Sequence, residues 1–443
     1  MTRLLDGVRV FELGIAIASP NAGRILAFHG AEVFKVESPT SPDVVRLIGS
    51  AWLRDDEERA AAWPDSSPYV PEMNANKRSV ALDLKHPGGR AAARELLANC
   101  DVFLANFGAR ALADLGLDYE SVREVRPDIV YVHLPGFGSD PEAPYYPFVA
   151  WGPNQAPLVG LDDLTGHAGR EPAGIATVAP PDYLSSFHAA WAVLAGLEQR
   201  DRTGEGVQVD ISQFETTISL LLGPFAMDHA LTGNSQSRIG NRSLWSAPEG
   251  VYPCRGEERW IAISATDDDA WRALAGLGPP GWSADERFAT NDDRLANADA
   301  LDEEVAAWTA GFDAVDLAAR LQGVGVAAHV VATNEDLLHD AHVTGSGFYT
   351  VRPGTRFRRE LFGGSPLRLS ETPGRWDVAG PSSGEHTVEV LTSVAGLAAD
   401  DVEALVADGG AFVMEEPELT LDRPYEDFLH ILFPGEAPDG RDL

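Results

Sequence analysis

Cysteine and lysine are scarce in this chain of 443 residues. Its two cysteines, Cys100 and Cys254, are too few for a disulfide framework or for a zinc site with four cysteine ligands. Such sparing use of cysteine is typical of a reducing cytosol. Only three lysines occur, Lys35, Lys77 and Lys85, and all of them lie in the first part of the chain.

Long apolar runs are absent as well. The start of the chain has no basic stretch followed by a long apolar stretch, which argues against a secretory signal. No apolar run approaches the roughly 18 residues that a membrane-spanning helix needs. We therefore expect a cytoplasmic protein that has no membrane partner.

Basic residues are much fewer than acidic residues. The chain has 34 Lys and Arg residues against 68 Asp and Glu residues, so its formal net charge is −34. An anionic surface repels the phosphates of nucleic acids, and we expect neither DNA nor RNA as a partner. The sequence also lacks a P-loop, a GxSxG elbow, an HExxH helix and a cluster of Cys and His. We therefore expect no metal and no tightly bound cofactor.

Short apolar segments alternate with helical patterns at the start of the chain, which predicts an α/β fold with a parallel, doubly wound sheet. The predicted strands of this part are 8–13, 32–37, 79–84, 101–107 and 128–134. Near residue 230 the pattern changes to paired strands and short capped helices, which indicates a smaller α+β domain. We predict a large domain over 1–229, a small domain over 230–335, and a return to the large domain over 336–443 that ends in an acidic tail.

A long helix is predicted just after Pro180 and Pro181, with Asp182 at its N-cap. Aspartate is a preferred N-cap residue, so the local pattern alone favours a capping role for Asp182. The surrounding segments change this interpretation.

Six segments are informative when they are taken together in chain order. They are LLDGVRVFELG (4–14), HGAEVFKVE (29–37), NANKRSVALDLKHPGG (74–89), ANFGARALADLGL (105–117), PGFG (135–138) and RTGEGVQVDIS (202–212), which follows the Asp182 helix. This combination resembles the family III CoA-transferases, of which formyl-CoA transferase and carnitine CoA-transferase are members. The resemblance covers nearly the whole chain and is clearest over 4–217.

The resemblance implies a fold and a nucleophile. Family members have a Rossmann-like large domain built from both ends of the chain, a small domain between them, and two interlocked subunits. We therefore expect an interlocked homodimer. The family's catalytic aspartate matches Asp182, whose carboxylate attacks the carbonyl of an acyl-CoA thioester and forms covalent intermediates. The substrates implied are an acyl-CoA and a carboxylic acid.

The resemblance also implies the residues that contact coenzyme A. The matching positions are Ile17, Ala18, Asn74, Ala75, Asn76, Lys77, Asn106, Phe107 and Gly108. Arg110 is our own candidate for a phosphate contact. Gly136, Gly138 and Tyr145 are candidates for the substrate pocket, because glycine amides can stabilise an oxyanion and aromatic residues crowd this loop.

Four departures from formyl-CoA transferase bear on the substrate. Ser38, Asp114 and Pro135 stand where that enzyme has basic residues, and Ser139 stands where it has an acidic one. The small-dicarboxylate chemistry of that enzyme should therefore not be assumed. The aromatic residues Tyr145, Tyr146, Phe148 and Trp151 suggest a larger or aromatic acid.

Two other functions stay open. The chain could instead be an α-methylacyl-CoA racemase. Such an enzyme uses an acid and a base on opposite sides of one carbon, and Asp182 would be the base. The racemases supply a histidine in the loop where this chain has Tyr145. The chain could also be the CoA-binding subunit of a heteromeric transferase, although the presence of Asp182 favours a catalytic subunit. An intramolecular transfer between two carboxylates of one molecule also stays open.

Overall fold

The structure is a computed structural model, and it describes residues 2–38, 40–46, 67, 69–174, 179–352 and 360–413. The chain divides into two compact units. The large unit comprises Met1–Val159, Ala176–Pro224 and Ala341–Leu443, and the small unit comprises Gly160–Ile175 and Phe225–Asp340. The sequence-based boundaries at 229 and 335 stay a prediction, and the acidic tail lies outside the described residues.

The described strands are, in chain order, β1 (Arg9–Leu13), β2 (Glu32–Glu37), β3 (Lys77–Leu82), β4 (Val102–Ala105), β5 (Val130–His133), β6 (Val207–Asp210), β7 (Glu249–Pro253), β8 (Trp260–Ser264), β9 (Ala327–Val330), β10 (Tyr349–Arg352), β11 (Glu360–Gly363) and β12 (Ala411–Phe412).

A seven-stranded sheet is the centre of the large unit, and its strand order is β12-β3-β2-β1-β4-β5-β6. Strands β1 to β6 pair in parallel, and β12 pairs antiparallel with β3 at one edge. The order of β1 to β6 is that of a doubly wound nucleotide-binding sheet. The predicted α/β fold with a large parallel sheet is therefore confirmed. The interlocked homodimer stays a prediction.

Both faces of this sheet are apolar. Phe11 and Phe34 belong to one buried cluster, whereas their neighbours Val10 and Val33 belong to another. Successive side chains of a strand point to opposite faces, so this alternation requires helices on each side of the sheet. The helices of the large unit are Ala18–Phe28, Val70–Met73, Pro87–Ala98, Ala109–Leu115, Tyr119–Val125, Gly152–Leu158, Pro180–Thr203, Gln213–Thr217, Ala341–Gly345, Thr387–Ser393 and Ala399–Ala407. The helix Gly223–Thr232 begins in the large unit and ends in the small one.

The small unit contains the three-stranded antiparallel sheet β7-β8-β9. Its apolar core includes Trp271, Trp282 and Phe288, and the buried Arg294 guanidinium lies over the Trp271 ring. The helices of this unit are Leu161–Leu164, Asp268–Leu277, Asn291–Ala296, Ala298–Thr309, Ala314–Gly323 and Asn334–His339.

Charged side chains lie inside the large unit, beneath the carboxyl ends of β1 and β2. Glu12 is fully buried and lies between two buried lysines, with its carboxylate oxygens 2.9 Å from Lys77 Nζ and 3.6 Å from Lys35 Nζ. Lys35 also donates to Asp43 at 2.8 Å. A buried charge without a partner costs several kcal/mol, so each of these groups depends on the others.

A second pair extends this network. Arg46 donates twice to the Glu37 carboxylate, at 2.8 and 2.6 Å. Burial raises the pKa of Glu37, but the Arg46 charge prevails and lowers it to about 2. Three carboxylates and three cations therefore balance one another in this buried network, which consists of Glu12, Lys35, Glu37, Asp43, Arg46 and Lys77.

The variant Glu12→Gln tests this network. The substitution removes the negative charge that Lys35 and Lys77 share. We expect it to lower the free energy of unfolding by about 3–5 kcal/mol. Urea unfolding at neutral pH measures the effect. The matched control is Glu32→Gln on β2, whose carboxylate pairs with Arg9 at a partly exposed site and should contribute less than about 1 kcal/mol. Equal losses in the two variants would contradict the importance of the buried network.

Candidate active site

The connections that leave β1 and β4 diverge to opposite faces of the sheet, and ligands of such sheets bind in the crevice at this point. Two loops follow the carboxyl ends of these strands, Ile15–Ile17 and Asn106–Gly108. The Asn106 side chain fastens them together, since it accepts a hydrogen bond from the Ile15 N–H at 3.0 Å and donates to the Ile15 carbonyl at 2.9 Å.

The first loop is held in a conformation that side chains rarely adopt. Ala16 has a φ of 57°, in the left-handed region. Its N–H donates to Asp43 Oδ1 at 2.7 Å, and the other oxygen of Asp43 accepts from Lys35. Lys35 also donates to the Gly14 carbonyl at 2.9 Å. The buried charges therefore fix the main chain of this loop.

A cavity of about 740 Å³ opens at this point of the large unit. Its size lies within the range of small-molecule sites. It brings together seven of the residues predicted from the sequence, namely Ile17, Asn106, Phe107, Gly108, Gly136, Gly138 and Asp182.

Asp182 is buried in the wall of this cavity, with 7% of its surface exposed. The helix Pro180–Thr203 begins two residues before it, and the N-cap is Ala179. The predicted N-cap position of Asp182 is therefore wrong. The two prolines are the first helical residues, where a missing N–H costs nothing, so Asp182 is the third residue of the helix.

Gly152 lets this carboxylate approach the opposite wall. A methyl group at Gly152 would lie 2.3 Å from Asp182 Oδ2 and 2.5 Å from the Ala179 side chain. Any residue larger than glycine would therefore displace the carboxylate. Gly152 is not among the predicted site residues, because one glycine among many in a Pro- and Gly-rich loop carries no distinctive local signal.

Burial raises the pKa of Asp182 to about 6, and only a hydrogen bond from its own main-chain N–H opposes this effect. The carboxylate is thus mostly ionised near pH 7 but poorly solvated. A group in this state is a better nucleophile, and a better base, than a carboxylate in water.

The PGFG segment (135–138) is held in place by hydrogen bonds of the residue that follows it. Gly138 has a φ of 83°, which favours glycine. The next residue, Ser139, donates its N–H to Asp210 at 2.8 Å, and its hydroxyl lies 2.8 Å from Nδ1 of the buried His133. The other nitrogen of His133 donates to the Phe107 carbonyl at 2.5 Å. One histidine therefore connects the glycine segment to the loop after β4.

The remaining predicted residues do not line the cavity. Lys77 lies on β3, which begins two residues earlier than predicted, and its ammonium is buried between Glu12, the Pro20 carbonyl and Asn74. Burial lowers its pKa to about 8. The side chain of Asn76 donates to the Arg375 carbonyl. Contacts of these residues with coenzyme A stay a prediction.

The other four are placed as follows. Ala18 and Ala75 are buried in the core. Arg110 is exposed on the first turn of its helix. Tyr145 packs beside the cavity against Phe137, with ring centroids 5.3 Å apart.

The described part of the chain holds no group of three or more His, Cys, Asp or Glu side chains that could bind a metal ion. Within the same residues, no helix has both the length and the apolar character to cross a membrane.

Comparison with known proteins identifies the family. The model of CoA-transferase family III matches residues 5–387. The chain belongs to this family. Its relatives include succinyl-CoA–D-citramalate CoA-transferase of Chloroflexus aurantiacus, at 33% identity over 91% of this chain and 97% of the relative. Another is succinate–glutarate CoA-transferase of Agrobacterium fabrum, at 31% identity over 88% of this chain and 95% of the relative.

A solved structure from the family supports the fold. The crystal structure of a CAIB/BAIF family protein from Brucella suis matches with a TM-score of 0.80 at 30% identity. It covers 89% of this chain and 100% of the other. The family and the names of its members support CoA-transferase activity, and such enzymes act on CoA thioesters.

The variant Asp182→Asn removes the buried charge and keeps the shape. The pKa of Asp182 is about 6 when folded, against an ordinary value of 3.8, so the folded chain binds the proton more tightly. The native protein therefore loses stability as pH rises between these values, and the variant does not. We expect a difference near zero at about pH 4 and at most about 3 kcal/mol in favour of the variant above about pH 7.

Urea unfolding across this pH range measures the difference. The control is Asp114→Asn, which changes an exposed carboxylate on another helix of the large unit and should give a small difference at every pH. An Asp182→Asn chain that is no more stable than the native one at pH 8 would argue against a desolvated carboxylate.

Proposed function

We propose that this chain transfers coenzyme A from an acyl-CoA to a carboxylic acid, with Asp182 as the covalent nucleophile. One observation carries the proposal. Asp182 is a buried carboxylate in the wall of the cavity at the sheet's switch point, and its elevated pKa reflects poor solvation. A desolvated carboxylate of this kind is suited to attack a thioester carbonyl.

The first half of the reaction loads the enzyme. A carboxylate oxygen of Asp182 attacks the thioester carbonyl, the carbon–sulfur bond breaks, and CoA leaves as a thiolate. The product on the enzyme is a mixed anhydride. The thiolate then attacks the Asp182 carbonyl carbon, which releases the donor acid and leaves an aspartyl-CoA thioester.

The second half reverses these steps with the acceptor. The acceptor carboxylate attacks the aspartyl thioester, CoA leaves again as a thiolate, and a second mixed anhydride forms. The thiolate attacks the acceptor's carbonyl carbon and restores the Asp182 carboxylate. One thioester is exchanged for another, so the sequence of steps needs no ATP.

The wall of the cavity suggests how these steps are assisted. Each attack places negative charge on a carbonyl oxygen, and preorganised main-chain amides stabilise such oxyanions. Gly136 and Gly138 are our candidates for this role, because both border the cavity and the segment is anchored by Ser139. Ile17 and Asn106–Gly108 are the candidates for contacts with the CoA arm, and the exposed Arg110 is the candidate for its phosphates.

Trapping at Asp182 tests the mechanism. We expect incubation with a reactive acyl-CoA to add one CoA mass to the chain, and borohydride reduction or hydroxylamine to mark Asp182 in a peptide map. The variant Asp182→Asn should fold, should show no adduct and should lose at least about 1,000-fold in kcat, because the nucleophile is absent.

Two outcomes would contradict this mechanism. An active Asp182→Asn enzyme would exclude the covalent step. An unlabelled native enzyme that exchanges the α-proton of an acyl-CoA with deuterated water would instead support the racemase alternative, with Asp182 as its base. A native chain that binds acyl-CoA but neither transfers nor exchanges would support a CoA-binding subunit.

We also propose that two copies of the chain assemble. Phe187, Trp191 and Leu194 lie on one face of the helix Pro180–Thr203 and are 55, 69 and 40% exposed. Large apolar side chains at this spacing usually face a partner. Sedimentation of the purified chain should give a dimer, and a stable monomer at micromolar concentration would contradict the proposal.

A further inference from the structure

The cavity wall is rich in large apolar side chains. Around Asp182 the lining includes Met73, Tyr146, Phe148, Trp151 and Tyr183. A substrate group that fills this space meets hydrocarbon and ring faces on several sides. Surfaces of this kind bind apolar groups and give little compensation to a charged group that loses its water.

Two of these aromatic side chains remain largely exposed in the large unit. Phe148 is 62% exposed and Trp151 is 44% exposed, although both border the cavity. Phe148 contacts the Tyr145 ring at a centroid distance of 6.1 Å, and Tyr145 in turn contacts Phe137 and Phe214. Phe137, Phe148 and Trp151 line the cavity and form its aromatic rim, and Tyr145 and Phe214 pack against Phe137. Exposed apolar patches mark ligand-binding grooves or partner surfaces, and these rings border a cavity of ligand size beside Asp182.

The charge of the cavity points the same way. Among the described residues that line it, Asp182 carries the formal negative charge, and none is Lys, Arg or His. A donor with a second carboxylate would bring that charge within several ångströms of Asp182. In a poorly solvated cavity two negative charges at such a distance repel each other substantially unless a cation lies between them.

We propose that the acyl group bound beside Asp182 is bulky and apolar, preferentially aromatic, and carries no second carboxylate. This inference rests on the proposed transfer of CoA at Asp182 and specifies its substrate class. It sets this chain apart from the two relatives described above, whose names specify succinate, glutarate and citramalate. The residues of the aromatic rim, Trp151 included, are the specificity-determining residues.

A comparison of two donors tests the inference. The native chain is incubated with 3-phenylpropanoyl-CoA or with succinyl-CoA, and the rate of CoA loading at Asp182 is measured for each, together with kcat/KM. We expect at least about tenfold higher kcat/KM for the phenyl donor, since a ring gains apolar contacts and a second carboxylate meets repulsion.

A variant identifies the residues responsible. Phe148→Ser removes one exposed ring of the rim, and we expect it to lower kcat/KM for 3-phenylpropanoyl-CoA by about threefold to tenfold while acetyl-CoA is affected much less. The matched control is Trp245→Ser in the small unit, which removes an aromatic side chain that is 81% exposed and should leave both donors unchanged.

The outcomes separate this inference from the proposed function. If succinyl-CoA loads Asp182 as well as the phenyl donor or better, the substrate class is wrong and the transferase mechanism stands. If the phenyl donor is preferred but Phe148→Ser does not reduce that preference, the assignment to the aromatic rim is wrong. If no acyl-CoA loads Asp182, both proposals fail together.

Discussion

The balance of charge inside the large unit is the constraint on which the site depends. Glu12 lies between Lys35 and Lys77, so two of the three lysines of this chain are used in its interior. Buried ion pairs add little net stability compared with apolar residues in their place. Removing one member of a pair, however, strongly destabilises the fold, because the other charge stays buried without a partner. Buried ion pairs therefore specify one arrangement of β1, β2 and β3 more strictly than apolar contacts could.

That arrangement extends to the loops of the site through Asp43. Its carboxylate accepts from Lys35 on one side and from the strained Ala16 N–H on the other. Charge pairing that begins on the strands thus maintains the conformation of the loop after β1, to which Asn106 adds a second attachment. Gly152 and the two prolines position Asp182, and no ion pair of Asp182 is found among the described residues. The six buried charges of the network are therefore paired with one another, whereas the candidate nucleophile has no charged partner in the described part of the chain.

Much of the fold could be predicted from the sequence, because its signals are local. Strand β2 has the predicted bounds, and the alternation of strands and helices gave the parallel sheet. The resemblance, which covers nearly the whole chain, pointed to Asp182, to Ile17 and to Asn106–Gly108, and all of these line one cavity. Two helices, Ala109–Leu115 and Tyr119–Val125, follow β4, because Gly116 adopts a left-handed conformation between them.

What could not be predicted depends on contacts between distant residues. The resemblance places Lys77 among the contacts of coenzyme A, which stays a prediction, but its ion pair with Glu12, 65 positions away in the sequence, has no local signal. Gly152 matters only because Asp182 folds against it, and Asp43 matters only because Lys35 and Ala16 lie on either side of it. No periodicity or spacing reports such pairs, since each is created by the crossing of separate segments.

The edge strand β12 has a consequence for the order of events during synthesis. Residues 411 and 412 cover the free edge of β3, where Ala411 pairs with Leu82 and Phe412 with Ala81. Nearby, the Thr387 hydroxyl accepts from the Ala81 N–H and the His386 N–H donates to Ser79. A growing chain therefore carries β3 as an open edge until more than 300 further residues have been added. Open strand edges are sites of mispairing, and the seven-stranded sheet of the large unit is complete only after those residues have been synthesised.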